Sequence, residues 1–390
     1  MRKTTSALIG LLLAGVTATP AHAETIRSMQ WHLDSMQADE MWKTSTGRGV
    51  TVAVIDSGVG RLPELEGQVL PGKDLAPDSY EGDERTDYET HGTSIAALIA
   101  GTGKGPGGDG SFGLAPGAKI LPIRVGHQGS QAKSDNAWVM AIRYAADSDA
   151  KIINMSLARS KEDAGLADAV KYALSKGKLI FAGTGNTGAG TNEVLYPAAT
   201  PGVVGVSAVD KQANMTKESQ HGPQVDLSAP GMEIVSGCAG KTGVCNSHGT
   251  SASTALVSAS AALIWSAHPD WTNNQVLRVL LNTAGKPRDG AQRNDSIGYG
   301  TVRPRVALTT PGDPGPANEF PMPDLAAAAA GSKSPSEPAG SPATGSDDAA
   351  APKAQQDTDG LPWTWIGLGI AACVLIGGAV TAVVVRQRNR

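Results

Sequence analysis

Between about residue 50 and residue 284 two hydrophobic patterns alternate along the chain. VTVAVID (50–56), AKILPIRV (118–125), KIINMSL (151–157), KLIFAG (178–183) and VVGVSAV (203–209) are short, nearly continuous apolar runs. That is the pattern of strands buried on both faces. Longer stretches lie between them: THGTSIAALIAG, SDNAWVMAIRYAADS and KEDAGLADAVKYALSKG, each predicting a helix. Strand, helix, strand, helix implies an α/β fold, with a mainly parallel sheet, right-handed crossovers and helices on both faces. GTSASTALVSASAALIWSA and WTNNQVLRVLLNTA predict two further helices, and Thr272 and Gln275 have the spacing of a capping box.

Both ends depart from this pattern. Residues 1–23 begin with Arg2 and Lys3, continue through an apolar run from Ala7 to Val16 and close on Ala21-His22-Ala23, the layout of a secretory signal cut after Ala23. An uncleaved anchor helix is the competing reading, but the run is short for the roughly 20 residues a span needs. Residues 310–360 are rich in Pro, Ala, Gly and Ser and have no periodic apolar face, which predicts a flexible linker. Residues 361–385 carry no charge from Trp363 onward and predict a transmembrane helix. Trp363 and Trp365 suit the interface, and Arg386, Arg388 and Arg390 mark residues 386–390 as a cytoplasmic tail. The expected layout is therefore an exported body at 24–309, with a short N-terminal extension at 24–48, held at the cell membrane by one C-terminal span.

The formal net charge is −4 and the body has no long basic run, which argues against nucleic acid as a partner. Of three cysteines, Cys373 falls in the predicted span. Cys238 and Cys245 flank a short loop in a domain expected outside the cytoplasm, so a disulfide is the favoured reading over a metal pair.

The candidate chemistry lies at the ends of the predicted strands, where parallel sheets collect functional groups. Asp56 ends a hydrophobic strand, where a carboxylate is costly unless it has a partner. The tetrapeptide HGTS occurs twice, at 91–94 and 248–251, and each copy opens a small-residue helix. Each supplies a histidine and a serine, the pair that makes a hydroxyl nucleophilic. Local context does not say which histidine serves which serine.

Taken in order, VAVIDSGV, HGTSIAALIAG, GTGN and SHGTSAS resemble the subtilisin-like serine proteases. The resemblance implies a three-layer fold and assigns the roles. Asp56 would orient the imidazole of His91, the general base; Ser251 would be the nucleophile; Asn186 would donate to the oxyanion. Ser94 and His248 would then be structural. The resemblance also implies that Ser156, Leu157 and Ala158, with Gly183, bind substrate as an added strand. Ala158 and Arg159 depart from the glycine the family usually carries there. Ala255 stands where the family has a proline, which implies a straighter helix. Relatives often bind structural calcium, but the acidic stretch at 78–90 lacks the spacing of a known calcium loop and reads as a solvated loop, so no cofactor is expected.

The segment MQWHLDSMQADEMWKTSTGRGVTVAVIDSGV and the whole layout are similar to the mycosins, membrane-anchored subtilases of type VII secretion. The stretch between Ala23 and the first strand is expected to be too short for a folded pro-domain. The resemblance implies protein or peptide substrates and type VII membrane components as partners. The alternative is a mainly structural subunit of a secretion complex. Asn154 is expected to satisfy backbone groups in the core, and His221 to be a surface residue.

Overall fold

The structure, a computed structural model, describes residues 25–77, 79–126, 135–162, 164–239 and 243–325. All lie within the first of two compact units, residues 1–334 and 335–390. The expected signal (1–23), most of the linker, the span (361–385) and the tail (386–390) lie outside the described residues. Among the described residues, no helix is long and apolar enough to cross a membrane.

Seven strands form one parallel sheet. They are β1 (Thr51–Asp56), β2 (Lys73–Asp74), β3 (Lys119–Arg124), β4 (Ile152–Met155), β5 (Leu179–Gly183), β6 (Val204–Val209) and β7 (Leu227–Pro230). Their order is β2-β3-β1-β4-β5-β6-β7. Five match the apolar runs to within a residue or two. The very short β2 had no apolar run to mark it.

Strand periodicity explains why those runs are apolar throughout. Val52 and Val54 of β1 enter one core, while Ala53 and Ile55 enter the other. The first core also holds α4 (His91–Ala100), α7 (Thr250–Ala267), α8 (Asn273–Thr283) and α9 (Pro304–Thr309); the second holds α5 (Asp135–Asp147) and α6 (Ala164–Ser175). Helices therefore cover both faces, as expected. Burying each Val, Ile or Leu side chain contributes about 1.5–3 kcal/mol.

Helix α7 runs unbroken through the first core, with Ala255 fully buried. Its hydroxyls find partners inside: Ser253 Oγ donates to Ala229 O (2.9 Å), Thr254 Oγ1 to Thr250 O (2.7 Å) and Ser258 Oγ to Asn154 Oδ1 (3.0 Å). Asn154 is buried as expected, but its partners are the hydroxyls of Ser258 and Ser156 rather than backbone groups. The capping box forms at the start of α8.

The N-terminal extension folds into three short helices, α1 (Ile26–Met29), α2 (Trp31–Ser35) and α3 (Ala38–Met41). Gln30, fully buried, clamps it to the body: Nε2 donates to Phe112 O (2.8 Å) and Val235 O (3.1 Å), and Oε1 accepts from Phe112 N (2.9 Å). Among the described residues, no hydrogen bond joins the extension to Asp56, His91, Asn186 or Ser251.

At the other end the fold continues past the expected boundary at 309. Residues 310–325 are strapped to the body. Arg278 donates to the carbonyls of Pro314 (2.7 Å), Pro316 (3.0 Å) and Glu319 (2.7 Å), Met322 is buried, and Asp324 accepts from Gly202 N (2.6 Å). Composition marked this segment as linker because a strap held by its carbonyls needs no periodic apolar face.

An antiparallel hairpin, β8 (Ile234–Gly237) and β9 (Val244–Ser247), precedes α7, and the Cys238–Cys245 disulfide closes it. A closed loop this short is expected to contribute about 2–3 kcal/mol by restricting the unfolded chain. The Cys238→Ser, Cys245→Ser double variant should lose that much in a urea unfolding titration, read as a lowered midpoint.

Candidate active site

Strand order reverses beside β1, with β3 on one side and β4 on the other, and the site gathers at the carboxyl ends of these strands. Asp56 ends β1 and is fully buried. Its Oδ1 accepts from Ser57 N (2.8 Å), Ser57 Oγ (3.2 Å) and the Nδ1 of His91 (2.7 Å). That last bond puts the proton on Nδ1 in the neutral ring, leaving Nε2 as the base. His91 is the first residue of α4, and its side chain is 29% exposed, so the ring reaches from a buried carboxylate to the surface. Gly92 permits the approach: a Cβ there would lie 2.2 Å from Gly58 O and 2.9 Å from Asp56 Cβ.

Asp87 is a supporting residue that the sequence reading missed. Its Oδ1 accepts from Ser57 Oγ (2.8 Å) and its Oδ2 from Thr93 N (2.8 Å). It therefore caps the first turn of α4 and holds the serine that holds Asp56. An Asp just ahead of a helix start is a capping signal, but here it sat in a run of acids. The same loop is organised by the buried Arg124, which donates to Asp74 Oδ2 (3.0 Å), Tyr80 O (3.3 Å) and Glu81 O (3.2 Å). Among the described residues, no group of three or more His, Cys, Asp or Glu is placed to hold a metal ion.

Burial works against charge on His91. The Asp56 charge and hydrogen bond, with Asp87 and Glu89 behind them, outweigh it and raise the pKa from 6.5 to about 9. A histidine held above its unfolded value stabilises the fold fully below about pH 6.5, and loses that contribution as pH rises through about 9.

Ser251 is the second residue of α7, where helix N–H groups favour developing negative charge. Its Oγ donates to Ser156 O (3.2 Å), and Ser156 Oγ donates back to Ser251 O (3.0 Å). The hydroxyl is thus turned to the backbone after β4 rather than to His91. Asn186 follows β5 and is exposed. Its Oδ1 accepts from Thr250 N (2.9 Å) and Thr250 Oγ1 (3.2 Å), which leaves the Nδ2 protons free to donate beside Ser251. Gly249 has φ 104°, and a Cβ there would lie 2.8 Å from Asn186 Nδ2, so only glycine fits both demands.

The other candidates divide. Ser156 and Leu157 are buried, Ala158 is half-buried, and the segment lies beside Ser251. Gly183 is buried under α7, where a Cβ would lie 2.9 Å from Thr250 Oγ1; its visible role is to let β5 pack against that helix. The spare halves of the repeated tetrapeptide go elsewhere. Ser94 shares a buried hydrogen bond with Ser236 (2.6 Å), and His248, 68% exposed, pairs with Glu218 (2.8 Å). His221 is exposed, in a turn held by Asn192.

The pattern that defines the subtilase family matches residues 47–300. The chain is similar to Subtilisin Savinase of Lederbergia lenta, with 34% identity over 261 residues, covering 66% of this chain and 92% of that protein. Among solved structures it resembles MycP1 from Mycobacterium smegmatis, with a TM-score of 0.66, 30% identity, and coverage of 78% of this chain and 90% of that one. It also resembles a chain in the periplasmic assembly from the ESX-5 inner membrane complex, with a TM-score of 0.65, 26% identity, and coverage of 85% and 92%.

A histidine NMR titration should place the His91 inflection near pH 9. Asp87→Asn should move it down toward 6.5, and Glu89→Gln should move it down by less, because Glu89 is exposed.

Proposed function

Because this chain belongs to the subtilase family, we propose that it cleaves proteins at the outer face of a membrane, with Ser251, His91 and Asp56 as its catalytic triad and Asn186 as oxyanion donor. It is a serine endopeptidase, and its solved relatives include MycP1 and MycP3 of type VII secretion systems. The observation that carries the reading is the 2.7 Å bond from His91 to the buried Asp56, at the same end of the sheet as Ser251 and the anchored Asn186 amide.

The chemistry follows from the groups. A χ1 rotation takes the Ser251 hydroxyl off Ser156 O, a sub-microsecond event for such a side chain. Nε2 of His91 accepts the hydroxyl proton as Oγ bonds to the substrate carbonyl carbon. Negative charge moves to the carbonyl oxygen, where Asn186 Nδ2 and the Ser251 N–H donate to it. Collapse breaks the C–N bond, and the imidazolium gives its proton to the leaving amine. Water, deprotonated by the same imidazole, then releases the acyl group. Asp56 keeps its charge and stabilises the imidazolium throughout.

A second reading, a mainly structural subunit of a secretion complex, draws on the Ser251 hydroxyl being committed to Ser156 O. Secretion that fails on deletion of the protein but survives Ser251→Ala would favour it.

The test of the main reading is labelling by a fluorophosphonate, with the modified residue found by mass spectrometry. Rapid labelling at Ser251, absent in Ser251→Ala, is expected; no labelling of the folded native chain would sink the triad. Asn186→Ala should lower turnover by about 10²–10³, a magnitude carried over from the equivalent donor in subtilisin. Because the base must be neutral, labelling should rise with pH toward about 9.

A further inference from the structure

A cavity of about 360 Å³ opens between the turn joining α2 to α3, the segment after α8, and α9. Its wall includes none of Asp56, His91, Asn186 or Ser251. It carries four cationic side chains, Lys286, Arg288, Arg303 and Arg305, and no carboxylate. Among the described residues, none of the four forms an ion pair.

Three of the cations are aimed by neutral groups. Lys286 Nζ donates to Leu281 O (2.9 Å), Arg288 to Gln212 O (2.6 Å) and Asn214 Oδ1 (3.2 Å), and Arg303 to Thr283 O (2.9 Å) and Ala284 O (3.3 Å). Such contacts fix direction without neutralising charge. The Arg305 side chain is exposed and makes no hydrogen bond among the described residues. Partial burial, and then the positive charge of Arg303, lower the Lys286 pKa, as expected of cations held together without a counter-ion. Two wall residues, Gln37 and Ala213, also hold left-handed backbone (φ 58° and 59°) although neither is glycine. Strain of this kind collects at binding sites.

The rest of the wall decides the class of ligand. Met36, Pro230, Ile297, Val302 and Val306 are apolar. An inorganic anion would satisfy the cations and leave these surfaces unused. We propose that the cavity binds a peptide segment of another protein in which an acidic side chain is flanked by apolar ones. The carboxylate lies among the guanidinium and ammonium groups, where its two oxygens accept paired N–H bonds from an Arg, and the apolar neighbour packs on Met36 and Ile297. The extension supplies one wall and α9 the other, so this surface exists only when the extension is docked. The inference does not rest on the proteolytic reading.

The test uses the full-length chain carrying Ser251→Ala, so that no peptide is cleaved, and a fluorescein-labelled hexapeptide alternating aspartate and leucine. Anisotropy should show saturable binding, weakened roughly tenfold or more by Arg305→Glu, which removes one charge-assisted contact and adds repulsion. Lys286→Gln should weaken it in the same direction. The melting temperature of each variant, measured in parallel, should stay at that of the parent. A peptide with asparagine for aspartate should bind at least tenfold more weakly than the acidic one. Equal binding to parent and Arg305→Glu, or displacement by inorganic phosphate at the same concentration as by unlabelled peptide, would overturn the proposal.

Discussion

A carboxylate buried at the end of a hydrophobic strand needs partners, and much of this structure answers that need. Asp56 is fully buried at the end of β1. An unpaired charge in that position would cost several kcal/mol. The chain supplies Ser57 from the turn and His91 from the start of α4, then braces Ser57 with Asp87. Asp87 also satisfies the first turn of α4 through Thr93. The acidic loop that carries Asp87 is itself held by the buried cation Arg124. The charge balance of this corner thus alternates outward, from carboxylate to imidazole to carboxylate, with an arginine behind.

The same economy governs the other half of the site. Helix α7 is buried nearly all round, so its residues are small and its hydroxyls are returned to neighbouring carbonyls and amides. Its N-terminus emerges where β4 and β5 end. Thr250 then ties the Asn186 amide in one orientation, and Gly249 and Gly183 are glycines because that packing leaves no room for a Cβ. The disulfide-closed hairpin β8–β9 delivers the chain into this helix and meets α4 through the Ser94–Ser236 bond. Helices α4 and α7 are therefore set relative to one another by elements that carry none of Asp56, His91, Asn186 and Ser251.

The extension and the strap at 310–325 enlarge the body at both ends, each by polar contacts to backbone and by apolar side chains in the first core, Leu33, Ala38 and Met41 from one and Met322 from the other. The apolar anchors of the extension are divided among three helices of four or five residues, and those of the strap, Phe320 and Met322, lie close together, so neither segment sustains a long apolar pattern along the chain. The extension also completes the wall of the cationic cavity, so a segment that makes no hydrogen bond to Asp56, His91, Asn186 or Ser251 among the described residues changes what the surface can recognise.

The sequence by itself determined the layered fold and the family, because both rest on local patterns. Strands buried on two faces must be apolar at every position, and VTVAVID or KLIFAG can be little else. The capping box at Thr272 and Gln275 was legible for the same reason: it is a contact over three residues. The two HGTS copies were indistinguishable locally, and only their order among the other motifs separated them. Tertiary structure decided what depends on distant residues meeting. It showed Asp87 behind Ser57, thirty residues away in the chain. It turned the Ser251 hydroxyl to Ser156, 95 residues away. It also gathered Lys286, Arg288, Arg303 and Arg305 around one cavity. Charges and hydroxyls have no period to betray their partners; where they point is set by how β1, β4 and α7 come together at the site, and by how the extension meets α9 at the cavity, and that is a property of the packed chain.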